Sequence, residues 1–561
     1  MTPRKRLVGF GAFALAASLV LTACGGGGGG EEPPAEGEST GIVTVGNGEP
    51  QNPLIPARTN EVFGGLVVTN IFAGLSYYDA EGAVHNDVAE SIESDDNQTW
   101  NVTLQDGWEF SDGTPVTAKS FVDAWNWAAY GPNGANLASF FSSIEGFTEA
   151  QGEYEIDDEG NVKVITEPET ETMSGLEVVS DTEFTIKLSQ PESDFPIRLG
   201  YAAYYPLPEV FFDDPEAFGE APIGNGPYVL DSWEHDSAIT LLPNESYQGD
   251  RAAQNGGIEL IAYTDEDAQY NDLLSGNLDI VQNVPASAFA TFEEELGERA
   301  VNQPAATLGA MSVPEWVEEF SGEAGLMRRK ALSMAINREE ITETLYAGAR
   351  TPARDFTSPV IDGWSDSIPG NEVLDYNPEE AKALWDEAEQ MEPWGDKVLE
   401  IHTNTDSDHQ EWVEAACNGY ENDLGIQCEM VGYPTFDEFL NERDKGKGGK
   451  IDGLFRAGWA ADYPSLQNYL GPIYTKAALA GSNDSKYVNE EFEAKLTEAA
   501  GAATTEEANA LYNEAQEILF QDMPGIPLWY YNTTAGYSEL VENAQFGWDD
   551  APLLYQVTKT E

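Results

Sequence analysis

The side chains able to do chemistry in this chain are few in kind. Its 561 residues include three cysteines, four histidines and 100 aspartates and glutamates. Two carboxylates flanking a bond would serve glycoside hydrolysis, but among so many acids the closeness of two carries no information. Nucleophilic hydrolysis needs a serine beside a base, and His85, His235, His402 and His409 accompany no Gly-x-Ser-x-Gly elbow. His402 and His409 stand seven apart with acids between, which is not the spacing of a zinc helix. That segment reads as a strand-to-helix loop whose acids cap the next helix. The glycines from Gly25 to Gly30 lack the preceding strand and following Lys-Ser/Thr of a phosphate loop. No catalytic residue, metal ligand or cofactor is assigned, and the chain is expected not to be an enzyme.

The cysteines point elsewhere. Arg4, Lys5 and Arg6 precede an uncharged, mostly apolar run from Leu7 to Val20, closed by Leu21-Thr22-Ala23-Cys24. This is similar to a bacterial lipobox, which implies a signal peptide over 1–23 and a diacylglyceryl group on the Cys24 sulfur. A spanning helix needs about 20 apolar residues, and no later run approaches that length. The body is therefore expected outside the cell, lipid-anchored at the outer face of the cytoplasmic membrane. Residues 24–40, six glycines and then an acidic Pro-containing stretch, read as a tether. In an oxidising exterior, Cys417 and Cys428, with ten residues between them, favour a disulfide over a metal site.

Charge and composition set the elements that must position any site. Acids outnumber Lys plus Arg 100 to 27, a formal net charge of -73, which excludes a nucleic-acid binder because little could neutralise phosphates. Hydrophobic residues make up 41% of the chain, enough for large cores, and the length suggests about three domains. Ile42-Val43-Thr44-Val45, Trp100 to Leu104 and Glu183 to Leu188 read as strands, the last two by their alternation. Helical spacing runs over 118–130, 326–345, 378–388, 433–443 and 506–520. Strands and helices interleave, so an α/β body with mixed sheets covered by helices is expected. The acidic stretch 145–171 reads as a surface insertion or loose hairpin.

Three segments resemble the bacterial extracellular solute-binding proteins of the peptide and nickel class. They are Asp87-Val-Ala-Glu-Ser with Trp100 to Ala118, Pro222-Ile-Gly-Asn-Gly-Pro-Tyr-Val-Leu-Asp-Ser-Trp233, and Arg329-Lys-Ala-Leu-Ser-Met-Ala-Ile-Asn-Arg-Glu339 followed by Tyr376 to Leu384. The resemblance implies a two-lobed, flytrap-like fold with an extra domain: domain I over 41–75, 176–303 and 532–561, domain II over 76–175, and domain III over 304–531. It implies a receptor that captures oligopeptides between closing lobes and delivers them to the permease and ATPase of an importer, acting as a monomer.

A fourth segment, Phe455-Arg456-Ala-Gly-Trp459-Ala-Ala-Asp462-Tyr463-Pro464, resembles a stretch of the oligopeptide-binding members. By that resemblance Asp462 would receive the ligand's α-ammonium group, Arg456 would lie by the ligand, and Trp459 and Tyr463 would form walls. One of Tyr530 and Tyr531, in Pro524-Gly-Ile-Pro-Leu-Trp-Tyr-Tyr-Asn532, would face the ligand as well. Pro53-Leu-Ile-Pro-Ala-Arg58 offers no early carboxylate. Family members also carry oligosaccharides, nickel chelates or haem, which stay open as ligands, with a secreted hydrolase as a distant alternative.

Overall fold

The computed structural model describes residues 40–156, 162–405, 407–445, 451–480 and 482–559. The expected signal peptide, Cys24 and the tether up to residue 39 lie outside them, as do residues 157–161 of the acidic insertion. Eleven strands form the main sheet: β1 (Ile42–Asn47), β2 (Tyr228–Glu234), β3 (Ala238–Pro243), β4 (Gly257–Ala262), β5 (Ile280–Val281), β6 (Ala300–Ser312), β7 (Arg350–Pro352), β8 (Val398–Asn404), β9 (Gln427–Tyr433), β10 (Leu454–Ala460) and β11 (Gly525–Tyr537). Their order is β2-β3-β4-β1-β5-β11-β6-β10-β8-β9, with β7 added on β11. Alternation decides which faces are buried: Val43 and Val45 of β1 point inward and are fully enclosed.

β6 and β11, thirteen residues each, run antiparallel from one half of the sheet to the other. Their register shifts between Pro304 and Leu308. Pro304 has no N–H to give to the ladder, and such an irregularity bends a strand. The two halves carry separate cores. Val45, Phe72, Trp125, Phe184 and Tyr204 belong to the first; Leu332, Trp385, Trp412, Tyr469 and Trp529 belong to the second. The body is thus mixed α/β with two lobes joined by paired strands.

The smaller sheet runs across the expected 175/176 boundary. Its order is Ala89–Glu93, Thr99–Leu104, Glu183–Lys187, Leu176–Val178, all antiparallel. Ile186 pairs with both Trp100 and Leu176, so a division at 175/176 would cut through a sheet whose buried face joins the first core.

Most helices begin where local chemistry requires. Asn377 accepts a hydrogen bond from the Glu380 N–H at 3.2 Å, with Pro378 in the first position and Glu379 and Glu380 in the first turn of Pro378–Met391. The helix expected over 326–345 is instead two, Gly322–Met334 and Arg338–Thr344. Asn337 causes the break: it leaves helical geometry and its side chain accepts from Glu340 N–H, starting a new helix. The helix expected from Tyr433 starts at Phe436, because Tyr433 closes β9 against Asn404 of β8. Within the acidic stretch, Glu153–Ile156 and Val162–Thr166 pair antiparallel.

Cys417, on helix His409–Asp423, is bonded to Cys428 of β9, with Cα atoms 5.0 Å apart. Gly425, at φ +75°, supplies the left-handed turn between them. No helix among the described residues is long and apolar enough to cross a membrane.

Candidate ligand-binding cleft

β10 ends at Ala460, and the next residues emerge between the lobes. A cleft of about 410 Å³ opens there. Thr307, Ala461 and Asp462 line it from the second lobe; Tyr78, Tyr201, Tyr205 and Arg251 line it from the first. Such a concave site with aromatic walls and a few charged groups is what a small enclosed ligand requires.

Asp462 is held from both sides. Its backbone N–H donates to Asn468 Oδ1 at 2.9 Å, and Asn468 Nδ2 donates back to Asp462 Oδ2 at 3.3 Å. The Tyr201 hydroxyl, from the opposite lobe, faces the same carboxylate and favours its charged form. Burial pushes the Asp462 carboxyl up, and Asn468 and Tyr201 offset this in part. A carboxylate in this setting gains most from a positively charged donor.

The other expected residues divide. Trp459 donates its indole N–H to the same Asn468 Oδ1 at 3.0 Å, but its ring lines a second cavity of about 450 Å³ within the second lobe, with Met311, Trp316 and Phe436. Arg456 is turned to its own lobe: its Nε donates to Asn404 Oδ1 at 3.0 Å and its guanidinium lies 4.3 Å from the Phe436 ring. Tyr463 is buried where the lobes meet, donating to Gln467 Oε1 at 2.6 Å and lying 5.5 Å from the Arg198 guanidinium.

Strand register separates the two tyrosines of β11. Tyr530 is 1% exposed; its hydroxyl accepts from the Arg354 and Asp355 N–H groups and from Trp364 Nε1, and donates to Asp355 Oδ1 at 2.9 Å. That hydroxyl is committed to the second lobe's core, so the expectation that it contacts ligand does not fit its surroundings. Tyr531, on the other face, stacks on Arg350 at 4.0 Å.

Reading the sequence missed several groups. Asn468, 1% exposed, clamps Asp462 and Trp459 together, and nothing in its local pattern sets it apart. The turn Trp548-Asp549-Asp550 returns from the C-terminal segment to line the cleft. The Trp548 carbonyl accepts from Ala306 N–H, and the Ala306 carbonyl accepts from Ala461 N–H, both at 2.9 Å, so this turn is tied to the backbone beside Asp462.

The histidines on either side of the loop between β8 and its following helix are held within the second lobe, His409 Nδ1 accepting from Trp412 Nε1 at 3.1 Å. His402 is buried between Tyr433 and Glu400, and burial pushes it down to about 4, so it stays neutral at pH 7. The expected cap is also different: Asp408 occupies the cap position without a capping bond, its carboxylate instead accepting from Arg350 at 3.4 Å. Among the described residues no group of three acids, histidines or cysteines is arranged to hold a metal.

Known proteins share this architecture. The chain is 25% identical over 542 residues to the oligopeptide-binding protein OppA of Bacillus subtilis, covering 93% of each. It is 26% identical over 394 residues to the heme-binding protein A of Haemophilus influenzae, covering 68% of this chain and 69% of that one. The murein tripeptide binding protein MppA of Escherichia coli superposes with a TM-score of 0.73 at 22% identity, covering 94% of this chain and 99% of that one. The family model described as bacterial extracellular solute-binding proteins, family 5 Middle, matches residues 83–481. With that match spanning most of its length, the chain belongs to the family 5 bacterial extracellular solute-binding proteins, a family of receptors and not of enzymes.

Proposed function

We propose that this protein is the oligopeptide receptor of an ATP-driven importer. It is held at the outer face of the cytoplasmic membrane by a lipid on Cys24 and works as a monomer. The observation that carries the reading is Asp462: a burial-raised carboxylate aimed into an interlobe cleft, clamped by Asn468 and faced by Tyr201. An enclosed ammonium group without a carboxylate would keep a large desolvation cost, and Asp462 removes it. The names of the relatives, oligopeptide and murein tripeptide binders among them, support the same ligand class.

Capture follows from the hinge geometry. The lobes close by bending where the β6 and β11 ladder shifts between Pro304 and Leu308, next to Thr307 on the cleft wall. Peptide backbone groups then pair with the exposed ends of the cleft strands, and side chains occupy the wet space beside them. Calorimetry with free tri- to pentapeptides tests this directly. Binding at one site per chain, strongly weakened by Asp462→Ala, is the expected result; binding of oligosaccharides or metal chelates with no response to any peptide would overturn it.

A further inference from the structure

The following rests on the cleft being a peptide site. The charged groups on its walls differ in what they already hold. Glu61 caps a helix by accepting from Gly64 N–H at 3.0 Å, and Asp79 accepts from Ala83 N–H and faces His85 at 2.7 Å. Arg251, a cation on the wall, is bound to the buried Asp87 at 2.7 Å. These groups are committed to the fold.

Asp549 and Asp550 are not. Asp549 lines the cleft and accepts only from the backbone of its own turn, Ala551 N–H at 3.3 Å among them. The Oδ1 of Asp550 is enclosed and completes no hydrogen bond among the described residues, the Thr533 hydroxyl being the side-chain donor beside this carboxyl. Burial pushes this carboxyl up to about 7, with Asp549 adding to the rise and Thr533 and Arg350 only partly offsetting it. Next door, a cavity of about 320 Å³ shares Val62, Gln282 and Asn283 with the cleft. It is lined by Asn47, 4% exposed, whose amide oxygen also lacks a partner. Asp550 Oδ1 and Asn47 Oδ1 are both acceptors, and an acceptor sealed without a donor is costly. What the cleft lacks is a positively charged donor beyond the one that Asp462 takes. Trp548 and Tyr78, edge to face at 5.5 Å, supply apolar walls on which a methylene stem can lie.

We propose that the Trp548-Asp549-Asp550 turn is a second cation subsite, so that the receptor selects peptides carrying a lysine or arginine side chain in addition to their α-ammonium group. The α-ammonium lies on Asp462 and the side-chain cation on Asp549 and Asp550.

The test uses alanine-based tetrapeptides with free amino termini, in which position 2, 3 or 4 is lysine, norleucine or glutamate, measured by calorimetry. At one position the lysine peptide is expected to bind about 30-fold or more tighter than its norleucine counterpart, the effect of one enclosed charge pair, and the glutamate peptide weakest. That ratio is expected to fall toward one in Asp549→Asn and in Asp550→Asn, each measured so that a folding failure of one leaves the other. A lysine to norleucine ratio near one at all three positions, or a ratio unchanged in both variants, overturns the subsite while leaving the peptide reading intact. Failure of every peptide to bind overturns the peptide reading itself, and the subsite with it.

Discussion

Asp355 and Asp550 are both carboxyls that burial pushes above the ordinary aspartate range, to about 6 and about 7. Their surroundings differ. Asp355, fully buried in the second lobe, accepts from the Thr357 N–H and hydroxyl, from Tyr530 and from Gln516 Nε2. It ties the loop after β7 to β11 and to helix Thr505–Asp522. Asp550 sits in a turn closed by the Gly547 N–H to Ala551 carbonyl bond at 2.8 Å, with its own φ at +73°, and one of its oxygens meets no donor. A buried acid whose acceptors are filled is a strut; one with an acceptor left empty at a cleft wall has a place for a ligand's donor.

The comparison breaks if the strut can be removed without loss. Asp355→Ala would orphan several buried donors and is expected to cost about 3–5 kcal/mol in chemical denaturation. Tyr530→Phe leaves two N–H groups and an indole without their acceptor, and is expected to cost about 2–3 kcal/mol. Peptide affinity in whatever remains folded should barely change for either, because both lie behind the cleft wall. Comparable stability to the wild type would show that the network carries little.

For Asp550 the sign is opposite. Its folded-state value lies above the unfolded value near 3.8, so the folded state holds the proton more tightly. Stability is therefore lost as pH rises from about 4 to about 7 and stays lost above. In the peptide-free protein, Asp550→Asn should raise stability at pH 8 by about 1–2 kcal/mol, after allowing for screening by water in the cleft, and do nothing at pH 4. Thermal unfolding at the two pH values checks this; a destabilised variant at pH 8 would place Asp550 among the struts. The smallest effect is expected from Tyr531→Phe, within about 0.5 kcal/mol, since the ring keeps its stack on Arg350.

How much of this could be read in the sequence depends on how local the cause is. Strand alternation around Val43 and Val45 and the Asn377-Pro378 helix start are written in neighbouring residues. Asp462 stood out through the segment around it. The break at Asn337 was missed because a side chain overrode a helical spacing that continues on both sides. The difference between Tyr530 and Tyr531 depends on the β6 and β11 register, which is set by residues more than two hundred positions away. Asp549 and Asp550 are two acids among one hundred, and only the return of the C-terminal segment to Ala306 marks them.

The central claim is that Asp462 receives a peptide's α-ammonium group. The direct measurement is a cycle: one peptide with a free or an N-acetylated terminus, against the wild type and Asp462→Asn, by calorimetry. Acetylation is predicted to weaken wild-type binding by about 100-fold and to change little in Asp462→Asn. Equal affinity of the two peptides for the wild type would contradict the account.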